Sequence, residues 1–426
     1  MPFEFLERNR RIAVIGAGVS GLAVAYQLAG VNNVTLIEAA PRLGGHARTV
    51  LAGRRGDVPV DTGFIVFNYE NYPHLTRMFH DLGVPVKKSN MSFSASIDNG
   101  AIEYGMTDLS AMAAQMRNIA RPQFWRMFRD VMKFNSQAVA LSDDPEMTLK
   151  ELLDRMQMGE WFRKYYLLPM SGAIWSSTPE QMEDFPARAL VQFFQNHSLL
   201  SAKTHQWYTV DGGSIQYVDR IAQAIVRQGG QIRTNAPVAK VRRHENGVTL
   251  LDDAGHAEEF DEVVFACHSD QALAMLEAPG PCEADILGRV RFQDNLAVLH
   301  RDPAQMPKRR RAWASWVYKS DSRRTDPRIG ITYWMNSLQG IAAEEPMFVS
   351  LNPVTPVDER LVYDETSFRH PIFDRAALSA QADLPFLQGQ QNTWYCGAWT
   401  RHGFHEDGFA SGVALAERMQ LGRMVA

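Results

Sequence analysis

The feature that most constrains the fold is a glycine-rich turn close to the N-terminus. Residues 11–15 (RIAVI) form a short apolar run rich in β-branched side chains, which is typical of a buried parallel strand. The sequence GAGVSG at residues 16–21 follows, and residues 22–29 carry apolar side chains at helical spacing. A second apolar run, residues 34–37, ends at Glu38, which is 22 residues after the first glycine. This order predicts a strand, a phosphate-binding turn, a helix and a second strand, the unit that binds a dinucleotide.

Each residue type in this unit has its own task. The first glycine permits the tight turn, the second lets the backbone approach a pyrophosphate, and the third lets the helix pack closely on the strand. The helix N-terminus supplies N–H donors, and the acid at the second strand accepts hydrogen bonds from a ribose. The predicted contacts are Gly16, Gly18, Val19, Ser20, Gly21, Glu38 and Ala39. The alternative is a glycine-rich turn that binds no ligand.

The segment after the second strand indicates which dinucleotide is bound. It reads AAPRLGGHARTV and contains Arg42, Gly44 and Gly45. It resembles the extended signature E-x-x-x-R-x-G-G-R of the flavin amine oxidase superfamily, which includes monoamine oxidases, protoporphyrinogen oxidase and phytoene desaturases. The resemblance implies bound FAD, with the glycine pair close to its pyrophosphate and flavin. His46 stands where the family usually has Arg, and it is either a titratable group beside the cofactor or a neutral hydrogen-bonding residue.

Two further segments are similar to the same family. Gly63 and Phe64, within VDTGF, resemble the segment that leads to the flavin ring. Residues 207–225 resemble the family's Gly-Gly turn before a helix, and Ser214 is the predicted helix start. The resemblance therefore implies flavin contacts at Gly63 and Phe64.

The middle of the chain contains two strand-like runs. Residues 231–242 are the first, and the family's backbone contact to adenine falls at Val238. Residues 261–267 (DEVVFAC) are predicted to form another buried strand of the FAD sheet, with Cys267 at its end. The resemblance implies a cofactor contact at Cys267.

The C-terminal block resembles the family's last strand and the helix that follows it. The family has Gly-Asp or Gly-Glu where the strand meets the ribityl chain, whereas this chain has Gly397-Ala398. Residues 408–412 match the helix start whose N–H groups face the flavin pyrimidine. Glu406 and Asp407 precede that start, and they either replace the missing acid or cap the helix dipole. The implied cofactor contacts are Gly397, Asp407, Gly408, Phe409 and Ala410.

The fold class predicted from these segments is α/β, a Rossmann-type FAD-binding domain with an interleaved α+β substrate domain. A chain of 426 residues exceeds the usual size of one domain. We expect a discontinuous FAD-binding domain of residues 1–90, 205–275 and 388–426. We expect the substrate domain to comprise residues 91–204 and 276–387.

Composition sets further expectations. The net charge of −4 produces no general attraction to nucleic acid or anionic membrane. The three cysteines, Cys267, Cys282 and Cys396, lie far apart, which excludes a disulfide framework and metal-ligand spacing and fits a reducing compartment. Neither a signal peptide nor a membrane-spanning run is expected, so the protein is predicted to be cytoplasmic or peripheral on the inner membrane face. No Cys or His stands in a flavin-attachment motif, which favours non-covalent FAD.

Two segments combine basic and aromatic residues. Residues 117–133 predict a basic amphipathic helix, and residues 306–324 contain seven bases with Trp313, Trp316 and Tyr318. Such segments suit a lipid headgroup region. The alternatives are a helix that packs its apolar face inward and a strand with one face in the core. Binding of nucleic acid is disfavoured by the flavin fold.

The last of these segments, together with GAWTRHGFHEDG, resembles one branch of the superfamily. This branch is similar to the amine-oxidase-like domain attached to some plant cyclopropane fatty-acid synthases. Its bacterial relatives act with fatty-acyl methyltransferases, and one resembles a methylated-fatty-acyl desaturase of furan fatty acid synthesis. The resemblance implies a lipid or fatty-acyl substrate, peripheral membrane contact and a functional link to such a methyltransferase.

The function predicted from this resemblance is dehydrogenation of an unsaturated, methyl-branched or unbranched acyl chain in a phospholipid, with hydride transfer to the flavin. The candidate catalytic residues adjoin the flavin motifs, and they are His46, Asn68, Tyr72, Trp399, His402 and His405. A histidine or Tyr72 is the expected base. One alternative is a flavin amine oxidase, with Trp399 as an aromatic face for the substrate nitrogen. Another is a non-catalytic lipid-binding protein that retains FAD.

Overall fold

The structure is a computed structural model that describes residues 9–106, 108–144, 146–175, 178–196, 199–200, 205–321 and 330–421. Its strands are, in chain order, β1 (Arg11–Ile15), β2 (Asn33–Ile37), β3 (Thr49–Ala52), β4 (Val58–Asp61), β5 (Val86–Ser89), β6 (Phe93–Ile97), β7 (Ile102–Gly105), β8 (Trp207–Val210), β9 (Gln231–Arg233), β10 (Val238–His244), β11 (Gly247–Asp252), β12 (Ala257–Phe260), β13 (Glu262–Phe265), β14 (Arg291–His300), β15 (Trp316–Ser320), β16 (Gly330–Trp334), β17 (Phe348–Leu351), β18 (Val362–Ile372) and β19 (Thr393–Tyr395).

The α-helices, again in chain order, are α1 (Val19–Leu28), α2 (Pro73–Asp81), α3 (Leu109–Met112), α4 (Met116–Ile119), α5 (Pro122–Leu141), α6 (Leu149–Arg155), α7 (Glu160–Phe162), α8 (Leu168–Trp175), α9 (Pro179–Glu183), α10 (Ala187–Asn196), α11 (Ile215–Arg227), α12 (Ser269–Met275), α13 (Pro281–Gly288), α14 (Met335–Leu338), α15 (Arg375–Asp383) and α16 (His405–Leu421). A π-helical turn, Arg163–Leu167, joins α7 to α8.

One half of the molecule, the dinucleotide half, is built on a five-stranded parallel sheet in the order β19-β13-β1-β2-β9. β1 is central, and its side chains alternate between two apolar cores. Ile12 and Val14 pack with α1, α11 and α16, whereas Ala13 and Ile15 pack with β10–β12, α12, α13 and α15. Because both faces of the sheet are covered, its strands are short continuous apolar runs. The predicted α/β class is confirmed.

The predicted strand over residues 231–242 is wrong as one element. The chain forms β9 in the parallel sheet and then β10 in a separate three-stranded sheet, β10-β11-β12. Between them Asn235 takes a positive φ of 51°. There the backbone N–H groups of Asn235 and Ala236 donate to the carbonyls of Ala40 and Glu38. These bonds bend the chain at the carboxyl end of β2 and bring the start of β10 to that edge.

The other half, the seven-stranded half, has a mixed sheet in the order β18-β14-β17-β16-β15-β6-β7. β15 runs parallel to β6, and the other neighbouring pairs are antiparallel. Helices α5, α6, α8 and α10 pack against this sheet through one apolar core. The strands of the two sheets come from different ranges of the chain. The domain bounds proposed from the sequence stay a prediction.

A buried carboxylate connects the two halves. Asp61, at the end of β4, accepts hydrogen bonds from Ser214 N at 2.8 Å, Thr49 Oγ1 at 2.6 Å and Gln339 Nε2 at 2.9 Å. Ser214 precedes α11 of the dinucleotide half, and Gln339 follows α14 of the seven-stranded half. Burial raises the pKa of Asp61 to about 6, although these bonds oppose the shift. The two halves are therefore joined by a satisfied polar network and not by packing alone.

Candidate active site

The glycine turn after β1 has the geometry that a pyrophosphate requires. Gly16 has a φ of 101°, and a Cβ at Gly21 would lie 1.8 Å from the Gly16 carbonyl oxygen. Gly18 is extended, and a Cβ there would have no atom of the described residues within 4 Å. The first and third glycines are thus required by the fold, whereas the second faces open space.

The N-terminus of α1 faces the same space. Its first turn contains Val19 and Ser20, has no acidic residue, and receives no side-chain cap from the described residues. Its first N–H groups and the positive end of the helix dipole are therefore available to an anion. Gly18, which precedes the helix, allows a phosphate group to approach these donors.

Glu38, the acid that follows β2, lies at the edge of this site and is fixed there by backbone hydrogen bonds. The Glu38 carboxylate accepts hydrogen bonds from Ala17 N at 2.8 Å and Ala40 N at 2.9 Å. Glu38 is half-buried and Ala39 is exposed, so this carboxylate keeps lone pairs at the surface of the cleft. Val238 begins β10 close by, because the preceding loop is bonded to the carbonyl of Glu38.

The glycine pair lies directly against the glycine turn. Gly44 N donates to Ala17 O at 2.8 Å, and a Cβ at Gly45 would lie 3.0 Å from the Gly18 Cα. Both glycines have positive φ values, 100° and 56°. Arg42, just before them, is exposed. Two backbones meet here without intervening side chains, which leaves the cleft lined by main-chain groups.

The C-terminal helix completes the cleft, but it starts earlier than predicted. α16 begins at His405, so Gly408, Phe409 and Ala410 lie within its first two turns. The Asp407 carboxylate accepts from Phe404 N at 3.0 Å and caps this start. A Cβ at Gly408 would lie 2.7 Å from Val19 Cγ1, so α16 packs closely on the start of α1.

Glu406 does not replace the acid missing after Gly397. Its two carboxylate oxygens accept from the backbone N–H groups of His74 and Leu75, at 2.9 and 3.0 Å. Glu406 therefore caps the N-terminus of α2. Its role is to cap a helix dipole, as the second alternative held, but the capped helix is α2 and not α16. Gly397, with a φ of 155°, donates its N–H to Ser411 Oγ at 3.0 Å.

Three histidines lie together where the glycine pair meets the seven-stranded half. The ring of His46 lies 6.0 Å from His268 and 5.5 Å from His370, and it stacks on Phe368 at 4.9 Å. His268 follows Cys267 at the carboxyl end of β13, and His370 is on β18. His46, His268 and His370 form the histidine cluster. Its position at the carboxyl edge of a parallel sheet is the usual place for a ligand.

The histidine cluster is neutral at physiological pH. Burial lowers the pKa of His46 and of His268 to about 4 and that of His370 to about 3. His46 lowers the pKa of the other two histidines further, and His268 lowers that of His370. His46 Nε2 donates to Arg369 O at 3.2 Å, so its Nδ1 keeps a free lone pair. Asn295 Nδ2 donates to His370 Nδ1 at 3.2 Å.

His268 has a buried nitrogen that the protein leaves unused. Its Nδ1 has no hydrogen-bond partner among the described residues, whereas its backbone N–H donates to Gln271 Oε1 at 3.2 Å. A buried polar atom without a partner indicates a site for a ligand or water. Across the described ranges, no three His, Cys, Asp or Glu side chains are placed to hold a metal ion.

A second aromatic group surrounds Phe64, which follows Gly63. The ring of Phe64 stacks on His405 at 3.9 Å and lies 6.4 Å from Tyr72. Burial lowers the pKa of His405 to about 3, and the Tyr217 O–H donates to its Nε2 at 2.6 Å. Burial raises the pKa of Tyr72 well above its ordinary value, so Tyr72 keeps its proton and is a weaker candidate for the base than a histidine.

The remaining candidates occupy other surroundings. Trp399 is 3% exposed, packs in the core of the dinucleotide half, and donates Nε1 to Cys267 O at 3.1 Å. Because the ring of Trp399 is buried in this core, it is not exposed to contact a substrate nitrogen. His402 is exposed on the turn before α16. Asn68 is buried, and its Oδ1 accepts from Asn71 N at 2.8 Å. The structure thus brings His46 together with two histidines that sequence analysis missed, and leaves His402 outside.

The residues present fit FAD. An uncapped helix start, an open cradle at Gly18 and a half-buried acid at the end of β2 suit its phosphates and ribose. The neutral histidine cluster begins at His46, directly after the glycine pair. The fold and this site define the class of FAD-dependent oxidoreductases.

Comparison with known proteins identifies the family. The model of the family described as flavin containing amine oxidoreductase matches residues 19–293. The chain belongs to this family. It is 26% identical over 297 residues to the "Putative flavin-containing monoamine oxidase AofH" of Mycobacterium tuberculosis, a match over 64% of this chain and 60% of the relative. The chain thus spans less than two thirds of that relative's length.

Solved structures share the fold. The fatty acid isomerase of P. acnes that produces CLA has a TM-score of 0.67 at 14% identity, covering 96% of this chain and 98% of its own. Cyclohexylamine oxidase from Brevibacterium oxydans has a TM-score of 0.64 at 17% identity, covering 97% and 100%. At these identities the likeness concerns the fold alone. Over the described residues, no helix is both long and apolar enough to cross a lipid bilayer.

Proposed function

We propose that the protein dehydrogenates an unsaturated fatty-acyl chain, with or without a methyl branch, as part of a phospholipid. FAD, when bound, accepts a hydride from the substrate. A proton leaves the neighbouring carbon, and the electron pair of that C–H bond forms the new double bond. The residues of the chain then have three tasks, which are to hold an apolar chain, to exclude water and to accept one proton.

The observation that carries this proposal is the apolar side of the site. Phe368, which stacks on His46, belongs to the same core as Trp175 and Phe193. Phe193 stacks on Phe404 at 4.6 Å, and Phe404 immediately precedes α16. Aromatic side chains of one apolar core thus lie both beside the histidine cluster and beside the start of the C-terminal helix. A site bordered by such side chains suits a hydrocarbon.

The histidine cluster supports the proton step. A neutral imidazole accepts a proton, and the buried His268 Nδ1 has no partner among the described residues. The base would be weak, because burial lowers its pKa to about 4. A weak base suffices only where hydride loss makes the neighbouring proton acidic, which fits a substrate already activated by a double bond.

Amine oxidation is the second candidate, and the family match favours it. In the described part of the site, however, the nearby carboxylates have partners within the protein. Asp270 accepts from Arg369 Nη2 at 2.7 Å, and Asp407 caps α16. A cationic amine would thus lack a dedicated counter-charge.

The discriminating experiment compares products. Incubation with phospholipids that carry unsaturated chains should yield a product lighter by two hydrogens, with one more double bond. His268→Gln should lower the rate of this reaction on the order of a hundredfold, a typical contribution of acid–base catalysis, with unchanged FAD content. His402→Gln, an exposed matched control, should leave the rate unaltered. Oxidation of amines alone would overturn the proposal.

Two related proposals depend on the branch resemblance. A methyl-branched acyl chain must come from a methyl-transfer reaction, so we propose a functional link to a fatty-acyl methyltransferase. A protein that binds lipid and retains FAD without turnover is the outcome to expect if neither lipids nor amines are oxidised.

A further inference from the structure

The outer face of α4 and α5 presents an apolar stripe to solvent. Its members are large hydrophobic side chains with high exposure, namely Met116 at 74%, Trp125 at 55%, Met132 at 71% and Val139 at 42%. Trp125, Met132 and Val139 are spaced seven residues apart, about two helical turns, so they follow one face of α5. Large apolar side chains that stay exposed along one helix face mark an interaction surface.

The inner face of α5 fixes this orientation. Phe124, Met127, Val131 and Phe134 are buried in the core of the seven-stranded half. The indole of Trp125 is also held, because Nε1 donates to Ile119 O at 2.8 Å. Because the inner face of α5 is fixed in the core, the helix cannot rotate to bury the stripe. The hydrogen bond to Ile119 fixes the orientation of the Trp125 indole at the surface.

Basic residues border the stripe. Arg126 and Arg129 are exposed, Arg129 one turn after Trp125 and Arg126 next to Gly159. Asp130, the acid of the helix, is buried and accepts from Gly159 N at 2.9 Å. Arg129 lies 3.8 Å from the Asp130 carboxylate, at the outer limit of an ion pair. The exposed side of α5 thus carries apolar, cationic and neutral polar side chains and no acid.

A basic depression adjoins the stripe at α4. Arg117, next to Met116, lines a depression of about 560 Å³ together with Lys308, Arg309 and the acid Asp98. Arg309 also pairs with the buried Glu103 at 2.7 Å. Cationic groups beside an apolar stripe suit the phosphate level of a bilayer, where apolar side chains reach the acyl boundary.

We propose that the α4–α5 face docks the protein on an anionic lipid bilayer. The inference rests on the proposed function and deepens it, because it names the surface at which the protein meets the acyl substrate.

The structure also changes the interpretation of residues 306–324, which the sequence suggested as a second lipid-contacting segment. Arg310 lies 3.6 Å over the ring of Trp313, which packs edge-on to Trp334 at 5.4 Å. Trp316 begins β15, so these tryptophans belong to the fold; residues 322–324 lie outside the described residues.

The test uses the FAD-loaded protein and sedimentation with vesicles. Vesicles of phosphatidylcholine mixed with phosphatidylglycerol should bind the protein, and phosphatidylcholine alone should bind it weakly. Trp125→Ser with Met132→Ser should reduce binding on the order of tenfold or more. Arg126→Gln with Arg129→Gln should reduce it roughly thirtyfold, since each base near an anionic surface contributes about fivefold. High salt should weaken the remaining binding.

Matched controls separate this face from general stickiness. Phe386→Ser removes an equally exposed apolar side chain of the dinucleotide half, and Arg54→Gln with Arg55→Gln removes two exposed charges elsewhere. These controls should bind as the unaltered protein does, and all variants should retain FAD and their thermal unfolding midpoint. Equal binding by the α5 variants, or equal loss in the controls, would overturn the proposal. So would a dimer that dissociates on Trp125→Ser, because a second copy would then cover the face.

The outcomes distinguish this inference from the proposed function. Vesicle binding that depends on α5, without oxidation of any lipid, refutes the function and leaves the docking face established. Oxidation of detergent-dispersed lipid without vesicle binding refutes the docking face alone.

Discussion

Valine at Gly18 should weaken FAD binding while leaving the fold intact. A Cβ at Gly18 meets none of the described atoms within 4 Å, and the backbone there is extended, so the side chain fits the unliganded protein. Valine is a poorer N-cap than glycine, which should cost about 1 kcal/mol in the free energy of unfolding. The same side chain would occupy the space in front of the α1 amides, and we expect FAD affinity to fall on the order of a hundredfold, about 2.7 kcal/mol.

Alanine at Gly21 should have the opposite effect. Its Cβ would lie 1.8 Å from the Gly16 carbonyl oxygen, a backbone atom that cannot give way, so α1 must shift from β1. Overpacking of this kind costs about 1–3 kcal/mol or more in the free energy of unfolding. Gly30→Val is a matched control for Gly18→Val, because Gly30 is exposed and a Cβ there also has open space around it.

The assay combines flavin content with unfolding of the FAD-free protein. The ratio of visible to ultraviolet absorbance measures bound FAD, and denaturant titration measures stability. Gly18→Val should be folded and bind FAD on the order of a hundredfold more weakly in a titration with FAD, and Gly21→Ala should be destabilised. A Gly18→Val protein with unaltered FAD affinity would refute the assignment of this turn to the pyrophosphate.

Two further predictions follow from the site. Unfolded histidines have an ordinary pKa near 6.5, whereas in the folded protein the pKa values of His46 and His268 are about 4 and that of His370 about 3. The unfolded state then binds more protons below pH 6.5, so FAD-free protein should be fully stable above that pH and lose about 2 kcal/mol per imidazole by pH 5. In denaturant titrations at several pH values, His370→Gln should reduce this loss of unfolding free energy at acid pH. An unchanged pH dependence of the unfolding free energy would contradict the lowered pKa of His370. Acid precipitation should release FAD into the supernatant, and flavin retained in the washed pellet would show a covalent link.

The dinucleotide unit could be predicted from the sequence because its signals are local. A strand, three glycines, a helix and an acid lie within one short segment, and β1 has the bounds that its apolar run indicated. The break between β9 and β10 had a local signal too, since Asn235 and Pro237 are turn residues within the strand-like run. The start of α16 lies earlier than predicted, at His405. Gly408 and Gly412 lie within the helix, where they allow close packing on α1 and do not mark the helix start.

The histidine cluster depends on contacts that no local pattern contains. His370 comes from a long strand of the other half, and its partner Asn295 is 75 residues away. His268 could have been found, because it directly follows a predicted parallel strand, and ligands bind at the carboxyl ends of such strands. Trp399 looked available from its place beside a flavin motif, and only the packing of the core shows that it is buried.

The most direct test of the central claim is the flavin spectrum under anaerobic conditions. Mixing the FAD-loaded protein with phospholipids that contain unsaturated acyl chains should bleach the visible absorption, while benzylamine and polyamines should leave the flavin oxidised. His268→Gln should bleach more slowly and His402→Gln at the unaltered rate. Rapid bleaching by an amine, with no response to any acyl lipid, would contradict fatty-acyl dehydrogenation and establish amine oxidation in its place.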